Sequence, residues 1–566
     1  MKKLALFLSL VVVMSAGAKE FSADIVIYGS SPAAISAAIQ ARRMGASAIV
    51  VSPETRIGGL TTGGLGATDI GNKRAFGGIA LEFYRDVAKW YDDERHWKWQ
   101  KSAEYRKGNH EQGVALTKGS MWTFEPSAAL AILEGWEKRD SLVIHRGKAM
   151  DRTAGKTVVA DDGKGRRIVS IVTLDGDVYR GKVFVDATYE GDLMAAAGVS
   201  YFVGREDNSV YGETVSGIAY GAPSEWNHAI NDGVSAYVKE GDRNSGLLPG
   251  IEPYNPNERR GDGDRRVQAY CFRMCLTDHP DNRIPFVKPA NYDERVYELL
   301  FRDFAAGFEL SQSPVGARVW RKEFVPNIMT KMPNRKTDSN NRCGFSTDFI
   351  GANWRWPEAS YEERDKILKA HLDYQMGLMW TLANHPRIPK CVRGYYSRFG
   401  TCKDEFLDGL GNGWQTQLYV REARRMVGEY VMTEHNCRGK VKVERPVAMG
   451  AYTMDSHHVR RIETKDGFVR NEGNVEDHRM PGPYSIDYGA LVPKKGECVN
   501  LIVPVCISAS HIAFGSIRME PVFFALGQVA GTAAAQAAAG GFGVQDLQYA
   551  TLRERLLADG QVIALP

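Results

Sequence analysis

Ala23-Asp24-Ile25-Val26-Ile27-Tyr28-Gly29-Ser30-Ser31-Pro32-Ala33-Ala34 is the stretch that decides the fold. The apolar run to Tyr28 reads as a buried strand that stops at Gly29. From Pro32 to Met44 the residues Ala34, Ile35, Ala38, Ile39 and Ala41 recur at helical spacing, and Gly45 ends the helix. A second strand is expected over Ala46 to Val51. Strand, helix and strand in this order form a right-handed crossover between parallel strands, the opening unit of an α/β sheet.

The turn between the first strand and the helix has the shape of a dinucleotide fingerprint. In that fingerprint the first glycine makes the turn, the second lets backbone approach a pyrophosphate, and the third lets helix pack on strand. Here Gly29 keeps the first place, Ser31 takes the second and Ala34 the third. Pro32 suits the first helical turn, whose free N–H groups would face the phosphates. The acidic residue expected about twenty positions on falls at Ser52, with Glu54 two positions later, and the sequence leaves open which of them meets the ribose.

Outward from this unit, Arg56-Ile57-Gly58-Gly59-Leu60-Thr61-Thr62-Gly63-Gly64-Leu65-Gly66 places glycines and hydroxyls directly after the second strand, where backbone must pass close to a flat ligand. Further strands are expected over Val169 to Leu174 and over Val178 to Asp186, the last running into Ala187-Thr188-Tyr189-Glu190-Gly191-Asp192. The middle, about 200 to 480, is richer in Asn, Asp, Pro, Arg and aromatics, with an amphipathic helix from Tyr361 to about Ala383. Near the end a strand from Asn500 leads through Ser508 to Glu520 into a small-residue helix, Val522 to Ala539, whose composition suits close packing on the first unit.

These segments together resemble the FAD-dependent oxidoreductase family often labelled xanthan-lyase-related, within the glutathione-reductase-like flavoprotein fold. The resemblance also rests on Trp122-Thr123-Phe124-Glu125-Pro126, Gln268-Ala269-Tyr270-Cys271-Phe272-Arg273, Pro333-Asn334-Arg335-Lys336-Thr337-Asp338, Lys403-Asp404-Glu405-Phe406, Tyr419-Val420-Arg421-Glu422-Ala423-Arg424-Arg425 and Arg518-Met519-Glu520-Pro521. It implies an α/β fold in which a Rossmann-type FAD-binding domain (19–200 and 481–566) carries an inserted mixed α+β substrate domain (201–480). It further implies that Gly29, Ser31 and Pro32 line the pyrophosphate, Ser52 or Glu54 the ribose, and Arg56, Gly58, Gly59 and Leu60 the flavin side. Ala187 and Thr188 join the cofactor site, and Gly527, Gln528 and Gly531 open the last helix toward the pyrimidine end of the ring. No His or Cys lies at the fingerprint or the Gly58-Gly59 loop, so the flavin is expected to be non-covalent.

Candidates for proton transfer are His511, on the segment leading to the last helix, and His457, with Asp455 as its orienter; Arg518 would stabilise negative charge. Arg421, Arg424 and Arg425 are expected on a helix, with Arg421 and Arg425 on one face suited to a carboxylate or to internal ion pairs, of which pairing with Asp404 or Glu405 is favoured. Trp354, Trp356 and Trp414 could stack on a sugar, although aromatics are more often core. The reading is an oxidoreductase of a small polar, carbohydrate-related substrate with an unknown electron acceptor. A lyase-like carbohydrate enzyme with structural FAD, and a binding protein without redox activity, are the alternatives.

Bulk composition narrows the partners. In 566 residues, 72 basic and 68 acidic side chains nearly cancel, so no nucleic acid or acidic membrane is called for. Eight cysteines without paired CxxC spacing suit neither a disulfide scaffold nor a metal site; Cys391 and Cys402 could bridge, or be free thiols. Lys2 and Lys3, the apolar run Leu4 to Met14 and Ala16-Gly17-Ala18 read as a cleaved secretory signal over 1–18, giving a mature chain from about Lys19 in the periplasm or outside the cell. That run is too short to span a bilayer and no later stretch is expected to be long and apolar enough, so no membrane anchor is expected.

Overall fold

The computed structural model describes residues 17–107, 119–161, 163, 165–219, 229–311, 327–477 and 479–565. The expected signal peptide, apart from Gly17 and Ala18, lies outside the described residues.

The opening stretch forms strand β1 (Glu20–Tyr28), helix α1 (Pro32–Arg43) and strand β2 (Ala48–Val51). With β3 (Val143–His145), β4 (Thr157–Asp161), β5 (Arg166–Val172) and β6 (Val178–Asp186) they build a sheet in the order β3-β2-β1-β6-β5-β4. The β3-β2-β1-β6 part is parallel, and β5 and β4 continue it antiparallel. Tyr28 stands level with Val51 on one side and Asp186 on the other. Gly29, Ser52 and Ala187 therefore leave the sheet at one edge, the carboxyl end of the strands where α/β folds bind ligands.

The far end of the chain completes this layer. Leu501 and Ile502 pair in parallel with Phe184 and Val185 of β6. The helix Glu520–Gly540 lies against α1. Gly527 and Gly531, one turn apart on a single face, make that approach possible: a Cβ would stand 2.6 Å from Ala33 Cα and 3.0 Å from Ala37 Cα respectively. Opposite them α1 presents Ala33, Ser36 and Ala37, all fully buried. Ile35 and Ile39 of α1 are also fully buried, each contributing about 1.5–3 kcal/mol of hydrophobic stabilisation. Glu520–Gly540 is, against expectation, long and apolar enough to cross a membrane, yet 89% of its apolar window is buried inside the fold, which makes it a core helix.

The middle of the chain contributes a five-stranded antiparallel sheet, in the order Arg283–Pro285, Gly400–Cys402, Met274–Thr277, Lys336–Asn341, Asn327–Met332. The helix expected at Tyr361 runs Tyr361–Asn384 behind a capping box made by Ser360 and Glu363, a device that contributes about 1 kcal/mol. Its Arg364 reaches Asp192, just past β6, at 2.6 and 2.9 Å.

One local expectation is corrected and two open ones are decided. The segment around Arg421 to Arg425 is not helical: Arg424–Met426 is a strand paired with Tyr201–Val203. Burial of all three guanidiniums among carboxylates from elsewhere overrides the helical spacing: Arg421 meets Asp348, Arg424 meets Asp192 and Arg425 meets Glu206. Asp404 and Glu405 instead surround the buried Lys336. Cys391 is exposed while Cys402 is buried, its sulfur 3.8 Å from that of Cys275 on the neighbouring strand. Trp356 and Trp414 are packed inside, with the Trp356 indole N–H on Glu190 and the Trp414 ring edge-on to Phe272, and neither is open to a sugar.

Candidate active site

At the sheet edge, Gly29 has φ +131°, and its N–H donates to the Val51 carbonyl at 3.0 Å. A Cβ here would lie 2.5 Å from the Ala187 carbonyl carbon, so only glycine closes the turn. Ser31 caps α1 without a side-chain cap bond, because its hydroxyl donates to the Ala187 carbonyl at 2.7 Å. The serine in the second fingerprint place thus ties the turn to the end of β6, where its hydroxyl is already committed. The backbone N–H groups of Ser30, Ser31 and Ala33 have no acceptor among the described residues, although all three residues are buried. Buried unpaired donors at a helix N-terminus fit a phosphate-bearing ligand. Thr188 donates its N–H and hydroxyl to Asp186, which braces the neighbouring strand end.

The geometry separates the two ribose candidates. Ser52 is fully buried and donates its hydroxyl to the Glu54 carbonyl at 2.7 Å. Glu54 reaches solvent, and its carboxyl has no donor among the described residues. The protein enclosing it, together with Glu190 and Asp365, pushes that carboxyl up to about 7. The Ser52 hydroxyl is thus committed within its own chain, whereas the Glu54 carboxyl is exposed and open to a partner.

Past β2 the glycine loop folds back over the turn, with the Gly58 N–H on the Ser30 carbonyl at 2.7 Å. Arg56 braces this loop from outside, donating to the Thr62 carbonyl and to Asp408. The Leu60 N–H donates to the Tyr189 hydroxyl, which donates to Glu520 at 3.0 Å. Thr61 donates both its N–H and its hydroxyl to the other oxygen of Glu520. Burial pushes the Glu520 carboxyl up to about 7 against these three donors. Glu520 is the first residue of the long C-terminal helix, so that helix begins at the loop. Gly527, Gln528 and Gly531 therefore do not open it. They lie in its interior, the glycines against α1 and Gln528 accepting the Ile79 N–H at 2.8 Å.

Two residues before Glu520, Arg518 turns into a second cluster. It donates to the Tyr419 hydroxyl at 2.8 Å and to the Asp455 carbonyl at 3.1 Å, with the Asp455 carboxylate at 3.5 Å. His457 Nδ1 lies 3.0 Å from Asp348, and its Nε2 faces Asp455 at 3.8 Å. Asp348, not Asp455, therefore orients this imidazole. Burial and the nearby Arg421 drive the His457 pKa down to about 3, which keeps the ring neutral, with the Nδ1 proton on the Asp348 side. Burial raises Asp455 to about 7, opposed by Arg518 and assisted by Glu476 and Asp69. The glycine loop joins the same cluster: the Ala67 N–H donates to Asp338, which also takes two bonds from Arg273 at 2.8 and 2.7 Å.

A sequence model described as FAD dependent oxidoreductase matches residues 24–556. The chain belongs to this family. FAD is its implied cofactor, and the unpaired N–H groups of Ser30, Ser31 and Ala33 fit the phosphates of that group. No curated protein matches the sequence of this flavoenzyme. Among solved structures it is similar to THI4 of Thermovibrio ammonificans, at 16% identity over 33% of this chain and 66% of that one, TM-score 0.21. It is also similar to a flavin-containing monooxygenase from Stenotrophomonas maltophilia, at 17% identity over 33% of this chain and 43% of that one, TM-score 0.19. A third is the bacillithiol disulfide reductase Bdr of Staphylococcus aureus, at 15% identity over 30% and 38%, TM-score 0.17. In each case the flavoenzyme covers less than two thirds of the other chain.

The candidate proton carriers separate in space. His511 is the first residue of the helix His511–Ile517, with its N–H on Glu206 and its Nδ1 2.9 Å from Glu422. Arg518 caps the other end of that helix, about 10 Å along its axis. The structure thus brings His457 and Arg518 together and leaves His511 in a different buried charge network, with Arg425 and Glu206. Tyr419, Asp348 and Arg273 are not singled out for this site by the sequence, which places Arg421 on a helix as a carboxylate or ion-pair partner. The signal available was a charged residue set inside an apolar block, as in Tyr419-Val420-Arg421.

Proposed function

We propose that this FAD-dependent oxidoreductase is exported to the periplasm or beyond, and that it oxidises or reduces a small polar, carbohydrate-related substrate beside Asp455, His457 and Arg518. One observation carries the site assignment. The Arg518 cluster is joined to the glycine loop through Glu520 and Thr61, so the loop and Asp455, a carboxyl poised near neutrality beside Arg518 and His457, share one wall. Here residues 19–200 and 481–566 serve the cofactor and residues 201–480 supply most of the substrate side.

When bound, FAD supplies the hydride acceptor or donor. The N–H groups of Ser30, Ser31 and Ala33 would hold its phosphates and Glu54 its ribose. The protein's remaining work is proton handling. Asp455, poised near neutrality, takes or gives the proton of a substrate hydroxyl. Neutral His457, fixed by Asp348, offers its Nε2 as the adjoining acceptor. Arg518 balances negative charge that develops on the substrate.

The export reading draws support from Lys19. Its N–H donates to Asp177 and its carbonyl accepts from Val178, so cleavage before it would leave the sheet intact. Protein from the periplasmic fraction is expected to begin near Lys19; an intact Met1 there overturns this reading. For the site, stopped-flow reduction of the flavin by a panel of sugars and sugar acids compares wild type with Asp455→Asn. Equal rates in the two proteins overturn the assignment.

A further inference from the structure

We propose that the three guanidinium groups packed around Tyr419 form a seat for the carboxylate of an anionic substrate. Arg273, Arg421 and Arg518 place their guanidinium carbons 5.6, 4.5 and 5.8 Å from the centre of the Tyr419 ring. All three side chains are almost wholly enclosed, at 3%, 1% and 4% exposure. Cations gathered this closely in a dry interior repel one another unless anions separate them.

The carboxylates around them, Asp69 among them, leave some of the donors unfilled. Asp338 engages Arg273 through both oxygens, and Asp348 engages Arg421 at 2.8 Å. Arg518 has a phenol, a carbonyl and a carboxylate no closer than 3.5 Å. That carboxylate, Asp455, is itself raised toward neutrality by burial, with Glu476 and Asp69 contributing. Among the described residues, each guanidinium also keeps one buried N–H without an acceptor: Nη1 of Arg273, Nε of Arg421 and Nε of Arg518. Leaving such a donor unpaired is unfavourable, and three of them bordering one ring are a set of donors awaiting a planar acceptor. A carboxylate fits, because arginine forks bind it through paired N–H bonds.

This inference rests on the substrate site proposed above and narrows its occupant from a polar molecule to an organic acid, one whose reacting carbon would lie beside Asp455 and His457. The test titrates the flavin-loaded protein with D-gluconate, D-glucose and inorganic sulfate, following the flavin absorbance spectrum. Gluconate is expected to give a saturable change, sulfate to compete with it, and glucose to give none. Arg518→Gln is expected to weaken gluconate binding by about tenfold or more with flavin content retained, and Arg518→Lys to restore part of it. A glucose response as tight as that of gluconate, or no saturable response to gluconate and sulfate, overturns the seat. If Arg518→Gln fails to fold, competition by sulfate in the wild type decides. Gluconate that binds at the seat without reducing the flavin supports the seat and counts against gluconate as the substrate. Flavin reduction by glucose without gluconate binding overturns the seat and leaves the site standing.

Discussion

The nucleotide turn and the Arg518 cluster are built in opposite ways. At the turn, Ser30, Ser31 and Ala33 act through backbone N–H groups, and side chains serve mainly to bring strand and helix close. At the cluster, Arg273, Asp348, Tyr419, Arg421, Asp455, His457 and Arg518 act through charged or polar side chains drawn from five separate segments. A backbone site depends on φ and on the lack of a Cβ. A side-chain site depends on which charges are buried together and on which of them lack a partner.

The comparison predicts where each half breaks. Gly29→Val should abolish flavin binding, because the new side chain meets the Ala187 backbone; the flavin absorbance of purified, folded protein reads this directly, and a yellow variant would break the contrast. Next in size, Asp455→Asn should slow flavin reduction by about two to four orders of magnitude while flavin content stays intact. His511→Ala should leave that rate nearly unchanged and lower stability by about 1–3 kcal/mol, since Glu422 loses one of its partners in a buried network. A rate collapse in His511→Ala with Asp455→Asn normal would return the proton role to His511.

A pH profile sharpens the same point. Asp455 is raised to about 7, so it is neutral below that pH and serves as a base only above it. Oxidation of substrate should rise with pH and level off above about 7, and Asp455→Asn should lose that limb. The linkage to stability has the matching sign. A carboxyl with a raised folded pKa stabilises the fold below its unfolded pKa of about 4, and that contribution fades as pH rises toward about 7. Melting curves of wild type and Asp455→Asn should therefore diverge in favour of the variant as pH rises from about 4 to about 7.

The smallest effect concerns the corrected helix. Gly531→Ala should cost about 1–3 kcal/mol through overpacking against Ala37 and leave flavin affinity nearly unchanged. A selective loss of flavin would restore the earlier reading of Gly531 as a cofactor residue.

The difference between the two regions also explains what the sequence could show. The βαβ opening is local: Pro32 at the first helical turn, the spacing of Ile35 and Ile39, and Gly29 at the strand end all lie within one short window. Glu54 over Ser52 was not decidable from spacing, because it turns on a hydroxyl that bonds back to its own chain two residues on. His511 looked close to the cofactor by sequence distance, yet a helix of seven residues carries it away from Arg518. Arg421 to Arg425 had helical spacing and became strand and loop, because pairing with Asp348, Asp192 and Glu206 fixes three burial directions that no single helix face presents. Such partners are distant in sequence and leave no periodic trace.

The pairing of Leu501–Ile502 with β6, and the lodging of Gly527 and Gly531 against α1, set an order of assembly. The turn that recognises the nucleotide is among the first pieces of the chain to be made, yet its supporting wall arrives from the last. A chain still emerging from a ribosome or a translocation channel has the loop without its backing, and α1 cannot bury its small-residue face until the end arrives. Loading of the flavin is therefore a late event that reports on completion of the whole polypeptide, and a chain cut short before Leu501 should fail to retain it however well its first strands form.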